Sequence, residues 1–395
     1  VKALSQKSTI ISCGLAMFAM FFGAGNIVFP LALGQVAQDK NLYAIMGMIL
    51  TAVLVPLVGL LAMLLYEGDY ASFFKRVGRV PGFLLAAIIL ALIGPFGGIP
   101  RCIAISYATL SSCGLESFVS FNLPLFSLVS CAVIFLFTMK QNQILNLLGY
   151  VLTPILLLSL GAIALKGTFL MPHAVESLAT RSQSFFEGLV GGYNTMDLLA
   201  AFFFSSVVLL CLKQGAQKNN ESGQLDKRSL ITIATAGSLI AAVLLALVYV
   251  SFSFLAAGYS QTLDGVEPQQ LLGSLAFELL GPYAGLVAGV AVAFACLTTE
   301  IALTAIFAEF LHKTLTRGRL SYPLSLVATL LVAFVVSTLH FQGISAFLGP
   351  ILQICYPALI ALTLLNLLNK IYDFKPVKRI FYFVVATSAL YYIFL

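Results

Sequence analysis

The sequence predicts an all-α, polytopic membrane protein, and three observations predict it. Of its 395 residues, 60% are hydrophobic and only 9% charged, with a mean hydropathy of +1.03, whereas a soluble domain carries about 25% charged residues. Turn and charge clusters cut the chain into eleven apolar stretches, most of them close to the about 20 residues that a helix needs to cross a bilayer. The extended polar stretches are confined to 167–186, 213–228 and 259–283, so no soluble domain, low-complexity tract or long linker interrupts a single membrane domain over residues 1–395.

The first stretch, 9–36, is the most informative. Phe21-Phe22-Gly23-Ala24-Gly25-Asn26-Ile27-Val28-Phe29-Pro30 puts two glycines, an asparagine and a proline where an unbroken membrane helix carries Leu, Ile or Val. Hydrocarbon offers no partner for freed backbone N–H and C=O groups, so such a break survives only when buried in protein or lining a cavity that supplies partners. In secondary transporters those partners are commonly a substrate and its ions. The stretch is too long for a cleavable signal, lacks a small-residue cleavage site and is polar in its middle.

The remaining stretches are 41–66, 82–111, 118–138, 144–166, 187–212, 229–257, 284–310, 321–340, 344–369 and 379–395. Pro95 and Pro100 predict a kink in the third. In the sixth, Ser205-Ser206 is a polar weakness that reads either as a second break or as two serines bonding back to the preceding turn of an intact helix. The external segment from Tyr259 to Gly281 holds an apolar run, Leu271 to Leu280, too short to cross. It reads either as a helical cap over an outer vestibule or as an ordinary surface loop. The chain opens with Val1 and its last stretch runs into Leu395, which leaves room for a twelfth span outside it.

A net charge of +6 suggests nucleic acid in a soluble protein, but here its distribution matters more, and no nucleic-acid partner is expected. If the spans alternate, Lys2, Lys7, Lys75, Arg76, Arg79, Lys140, Lys213, Lys218, Lys227, Arg228 and the basic residues from Lys313 onward share one side, against Lys40, Lys166 and Arg181. The positive-inside rule then places the N-terminus in the cytoplasm. The seven cysteines lie mostly within spans and form no metal-type pair; only Cys113, in a short external loop, easily meets an oxidant. Spans one to five (about 7–166) and six to ten (about 187–369) have similar lengths. An odd number in each half forces the second into inverted topology, which predicts an inverted repeat followed by one or two extra C-terminal helices, the first at 379–395.

Several segments, in order along the chain, resemble the bacterial branched-chain amino acid:cation symporters: Phe18 to Pro30, Gly94-Pro95-Phe96-Gly97-Gly98-Ile99-Pro100-Arg101, Leu152 to Leu156, Gly192-Tyr193-Asn194-Thr195-Met196-Asp197 and Ala295-Cys296-Leu297-Thr298-Thr299. That family is similar in turn to sodium symporters of the leucine-transporter fold, five helices repeated in inverted orientation with helices one and six unwound. The resemblance implies a bacterial cytoplasmic-membrane symporter, and it implies a sodium site formed by the carbonyls of Ala19, Phe22 and Ala295 with the hydroxyls of Thr298 and Thr299. The chemistry is compatible, since sodium wants hard oxygen ligands and a helix frees carbonyls only beside an unwound turn. The alternative is that both threonines bond to carbonyls one turn back. No cofactor is implied beyond the coupling ion, sodium or, alternatively, a proton.

For a substrate, the N–H groups of Gly23, Ala24, Gly25 and Asn26 suit an α-carboxylate, because glycines permit close approach and a half-helix N-terminus carries positive partial charge. By symmetry the α-ammonium falls to carbonyls near Phe204 and Ser205. Asn26 orients the carboxylate, helps hold a second cation or simply caps its helix. The lining of an aliphatic side-chain pocket is illegible where nearly every residue is apolar.

Four charges are stranded in spans, at a cost of about 3 kcal/mol each if unpaired. Arg101, about 28 Å along its span from Gly82, and Asp197 suit an ion pair forming an outer gate. The alternatives are a fixed structural pair, or Arg101 snorkelling with Asp197 capping its helix. Glu309 is interfacial. Glu300 departs from the small or apolar residue expected after the paired threonines, and reads as a solvated pathway residue, a protonated structural acid or a proton-coupling site. The expected function is import of leucine, isoleucine and valine, with methionine a further candidate, by alternating access. A proton-coupled symporter and a non-transporting sensor remain as alternatives. His173, His312 and His340 make no catalytic or metal cluster, so no enzyme is expected, and no ring of like charges suggests a channel.

Overall fold

A computed structural model describes residues 2–112, 122–139, 153–170, 175–219 and 227–394. Cys113, His173 and the starts of the stretches predicted at 118 and 144 lie outside them. The described chain is helical, without a strand: α1 (Lys2–Phe21), α2 (Ala24–Ala37), α3 (Asn41–Ile49), α4 (Val55–Leu65), α5 (Tyr70–Phe74), α6 (Arg79–Ile93), α7 (Gly98–Ser112), α8 (Leu123–Met139), α9 (Thr153–Phe169), α10 (Arg181–Asn194), α11 (Asp197–Asn219), α12 (Lys227–Gly258), α13 (Leu271–Phe310), α14 (Tyr322–Ser337), α15 (His340–Tyr372) and α16 (Val377–Phe394). Among the described residues seven helical segments are long and apolar enough to cross a membrane, with four shorter apolar helices beside them.

Three of the predicted spans are discontinuous. The first parts at Phe22-Gly23, where Gly23 is extended (φ −124°, ψ −161°) between α1 and α2. The third parts at the turn Gly94–Gly97 between α6 and α7, where Gly94 and Pro95 end one helix and a second one starts at Gly98. The sixth parts at Thr195-Met196, where Met196 takes a positive φ of 62°. A break at Ser205-Ser206 does not form. Helix α11 runs through it, with Ser205 Oγ donating to Phe202 O at 3.3 Å and Ser206 Oγ to Phe203 O at 2.6 Å. The serines therefore satisfy themselves on the preceding turn, and the carbonyls near Phe204 and Ser205 stay within an unbroken helix.

Two wide π-turns, Leu50–Leu54 and Leu311–Leu315, also interrupt regular winding. The first precedes Pro56, whose missing N–H a regular turn could not accommodate without loss. The short apolar run Leu271–Leu280 is helical and turns into the long part of α13 at Gly281, whose φ is +77°. Leu271, Leu272, Leu275 and Ala276 are buried. A Cβ on Gly273 would stand 2.7 Å from Ser112 Cβ, and Gln35 Nε2 donates to Leu263 O at 2.6 Å, so the segment lies over the ends of α7 and α2. The segment is thus a helix packed on the bundle rather than an ordinary surface loop.

Lipid tails are as apolar as leucine, so helices associate in a bilayer through close packing and polar contacts. Helices α1 and α2 lie against α12, α3 against α10, α4 against α11 and α7 against α13. At the α3–α10 contact a Cβ on Gly188 would stand 1.8 Å from Ala44 O, and one on Gly192 2.0 Å from Thr51 Oγ1. Only glycine permits that approach, and Thr51 Oγ1 uses it to donate to Leu189 O at 2.9 Å. On the outside, Leu158, Leu239, Leu331 and Phe383 stand exposed, as a hydrocarbon solvent allows. The broken helices and α13 thereby surround a central cavity.

Candidate functional site

The cavity has a volume of about 410 Å³ and is lined from both sides of the first break, by Met20, Phe21 and Gly23 to Asn26, and from the sixth-span break by Thr195, Met196 and Asp197. Ile93, Gly98, Arg101 and Cys102 enter from the third span, Ala200 and Phe204 from α11, and Thr299 and Leu303 from α13. That volume includes space open to solvent at the cavity mouth. Its apolar part, Met20, Phe21, Ile93, Met196, Phe204 and Leu303, is the side-chain lining that the sequence could not identify. Phe204 lines the cavity with its ring edge-on to Phe21, centroids 5.3 Å apart, and its carbonyl belongs to the unbroken α11; Ser205 is buried but does not line the cavity.

The first break brings together the five oxygens singled out from the sequence. The Gly23 N–H turns to Asn26 Oδ1 at 3.1 Å, leaving the Ala19 carbonyl without its usual helical donor. Thr298 Oγ1 lies 3.3 Å from Ala19 O and 2.7 Å from Ala295 O. Thr299 Oγ1 lies 3.3 Å from Phe22 O and 3.4 Å from Ala295 O. A hydroxyl has one proton to donate. The 2.7 Å contact is the bond of Thr298 to its own preceding turn, whereas the other three, at 3.3–3.4 Å, are long for a hydroxyl hydrogen bond. Oxygens sharing a hard cation at about 2.4 Å, within the range calcium keeps, stand about 3.4 Å apart at a right angle. The backbone supports the same geometry from the other side, since a Cβ on Gly23 would meet Thr299 Cγ2 at 3.1 Å.

The two breaks touch through Gly25, where a Cβ would stand 3.1 Å from Thr195 Cα, and through one buried polar cluster. Asn26 Nδ2 donates to both carboxylate oxygens of Asp197, at 2.9 and 2.8 Å, and also contacts the Tyr249 hydroxyl. Tyr249 OH donates to Asp197 Oδ2 at 2.8 Å, and the Leu198 N–H donates to Tyr356 OH at 3.2 Å. Asn26 thus caps its helix with Oδ1 and ties it to α11 with Nδ2. Tyr249 and Tyr356 were missed from the sequence, where tyrosines within apolar runs carry no signal of a polar neighbour.

The gate expected as an Arg101–Asp197 ion pair is not built that way. Arg101 is 1% exposed, and its Nη1 donates to Asn194 O at 2.9 Å. Its guanidinium lies 5.4 Å from the Phe29 ring centroid and 5.8 Å from that of Phe341, while Nε and Nη2 have no hydrogen-bond partner among the described residues. Asp197 has turned to Asn26 and Tyr249, whose donors reach it directly. Glu300, beside Thr299, is 3% exposed, has Cys102 and Cys131 as electrostatic neighbours, and joins no ion pair among the described residues. Glu309 pairs with Lys313 at 2.6 Å on an exposed turn, as an interfacial residue does.

A family model described as "Branched-chain amino acid transport protein" matches residues 6–394. The chain belongs to the branched-chain amino acid transport protein family. Among the curated relatives of this branched-chain carrier, it is 31% identical to branched-chain amino acid permease BrnQ of Bacillus subtilis over 384 residues, covering 94% of this chain and 83% of that protein. It is 30% identical to the permease BraB of the same organism, covering 94% and 82%. The family consists of permeases rather than enzymes. Solved structures with the same fold include Mhp1 in its inward-facing conformation, at a TM-score of 0.63 and 13% identity over 97% of this chain and 89% of that one. MhsT in complex with L-phenylalanine gives 0.57 and 14% over 96% and 98%. The carrier is thus a multi-pass bacterial inner-membrane protein of that fold.

Proposed function

We propose that this chain is a sodium-coupled symporter importing leucine, isoleucine and valine by alternating access, with methionine within its range. The observation that carries the reading is the convergence of Ala19 O, Phe22 O, Ala295 O, Thr298 Oγ1 and Thr299 Oγ1, three of whose contacts stand at 3.3–3.4 Å, the spacing of oxygens around a shared hard cation. An ion there ties α1 to α13 and so couples its binding to the geometry of the first break. The N–H groups at the N-terminus of α2 from Ala24 to Asn26 receive the substrate carboxylate, that of Gly23 being taken by Asn26 Oδ1, and the apolar lining takes the branched side chain. The two broken spans, first and sixth, stand at equivalent places of an inverted repeat over about 7–166 and 187–369, with the N-terminus in the cytoplasm.

A second reading, proton coupling, rests on Glu300, buried without a cationic partner beside the threonines. Uptake of labelled leucine into ion-defined proteoliposomes tests both, with sodium and proton gradients imposed separately and each amino acid as competitor. Sodium-driven accumulation supports the first reading. Accumulation in sodium-free medium under a proton gradient overturns it, and counterflow separates a carrier from a non-transporting sensor.

A further inference from the structure

We infer that Asp197 is the counter-ion for the α-ammonium of the transported amino acid, making the cavity selective for zwitterions rather than for apolar carboxylates. The inference rests on the reading of this cavity as the amino acid site. An ammonium needs acceptors, and the carbonyls near Phe204 and Ser205 are held inside α11. The cavity wall contains one carboxylate, Asp197, and one fixed cation, Arg101. These do not neutralise each other, because Arg101 is engaged with Asn194 O, Phe29 and Phe341, whereas the groups around Asp197, namely Asn26, Tyr249 and the Thr195 hydroxyl, are all neutral. Asp197 is 2% exposed. A buried carboxylate with no cationic partner is costly in a membrane interior, and such residues face a pathway or a ligand of opposite charge.

A purely structural acid at the start of α11 would bond that helix's own free N–H groups. Asp197 instead reaches α2 and α12, and the Leu198 N–H goes to Tyr356. Asn26 and Tyr249 make three contacts with the carboxylate and the Thr195 hydroxyl stands beside it, but none of these donors carries a charge, so the negative charge is left for an occupant to balance. The substrate then lies with its carboxylate toward the N-terminus of α2 and its ammonium toward Asp197, two groups on neighbouring breaks that touch at Gly25.

The test uses the purified full chain in sodium and three probes: leucine, 4-methylpentanoate, which is leucine without its amine, and 3-methylbutylamine, which lacks the carboxylate. In wild type, 4-methylpentanoate is expected to compete at least 100-fold more weakly than leucine. In Asp197→Asn, which keeps one acceptor oxygen for Asn26 and turns the other position into a donor that the Tyr249 hydroxyl can accept from, that gap is expected to fall below tenfold, mainly through weaker leucine binding. Tyr249→Phe keeps the carboxylate and is expected to keep the gap. Equal weakening of leucine and 4-methylpentanoate in Asp197→Asn would show a structural hub and overturn the inference. A preserved gap with an altered sodium-to-leucine ratio would assign the carboxylate to a metal ion and overturn it equally. Should Asp197→Asn fail to fold, the wild-type panel decides, since 4-methylpentanoate within tenfold of leucine is incompatible with a counter-ion. Absence of leucine binding by wild type would instead defeat the functional reading.

Discussion

Replacing Thr298 and Thr299 together by valine removes two of the five converging oxygens at nearly constant volume. The sodium concentration for half-maximal leucine uptake is expected to rise at least tenfold, equivalent to about 1.4 kcal/mol. The same hydroxyls reach α1 at Ala19 O and Phe22 O, so their loss also weakens the folded protein by about 1 kcal/mol per hydrogen bond whether or not sodium is present. Thermal unfolding of purified protein with and without sodium separates the two effects. Sodium at about 100 times its dissociation constant stabilises wild type by about 2.7 kcal/mol, and a tenfold weaker site leaves about 1.4 kcal/mol at that concentration. A double variant that is less stable in sodium-free buffer but keeps the full sodium-dependent gain, with unchanged half-saturation in proteoliposomes, would refute the assignment of these oxygens to the ion.

Three glycines and one acid give further outcomes. Gly25→Leu is expected to abolish leucine binding while the protein still inserts, because its side chain drives the 194–195 backbone away from α2; normal leucine affinity in a folded variant would defeat this. Gly23→Ala presses on Thr299 Cγ2 from 3.1 Å and should raise the sodium requirement, read from the same uptake titration. Gly34→Ala, whose Cβ would lie 1.9 Å from Ser253 O, should cost about 1–3 kcal/mol of stability by overpacking, with sodium half-saturation unaltered in the surviving protein. Glu300→Gln is expected at most to shift apparent sodium affinity, with no response to a pH gradient in either protein. A proton-driven accumulation by wild type, lost in Glu300→Gln, would reverse that expectation.

The first break was legible because glycine and asparagine at mid-membrane have no reason to be there in an unbroken helix. The sixth-span break was displaced by about ten residues because serine suggested it where methionine made it. A positive φ at Met196 has no propensity signature, although the polar cluster Asn194, Thr195 and Asp197 stood beside it. The ion-site residues were legible from the resemblance and from the spacing of Thr298 and Thr299 after Ala295. The Arg101 partner was misjudged because opposite charges in a membrane invite pairing, while a freed carbonyl such as Asn194 O arises only once the break has been placed. Tyr249, Tyr356 and the aliphatic lining were hidden for a common reason: in a chain this apolar, burial and lipid exposure select the same residue types.

Arg101 joins four elements, its own α7, α2 through Phe29, α10 through Asn194 O and α15 through Phe341, and all its partners are electrically neutral. Each desolvated ring contact is worth about 2 kcal/mol and the bond to the carbonyl somewhat less than that to a carboxylate. Together these contacts form a clasp that holds the four elements to one another by several kcal/mol. It also has no acid to protonate, which makes its strength indifferent to the acidity of the medium it faces. Lysine in its place would keep the charge but lose the flat cation that lies between two rings, and the four elements would be held more loosely.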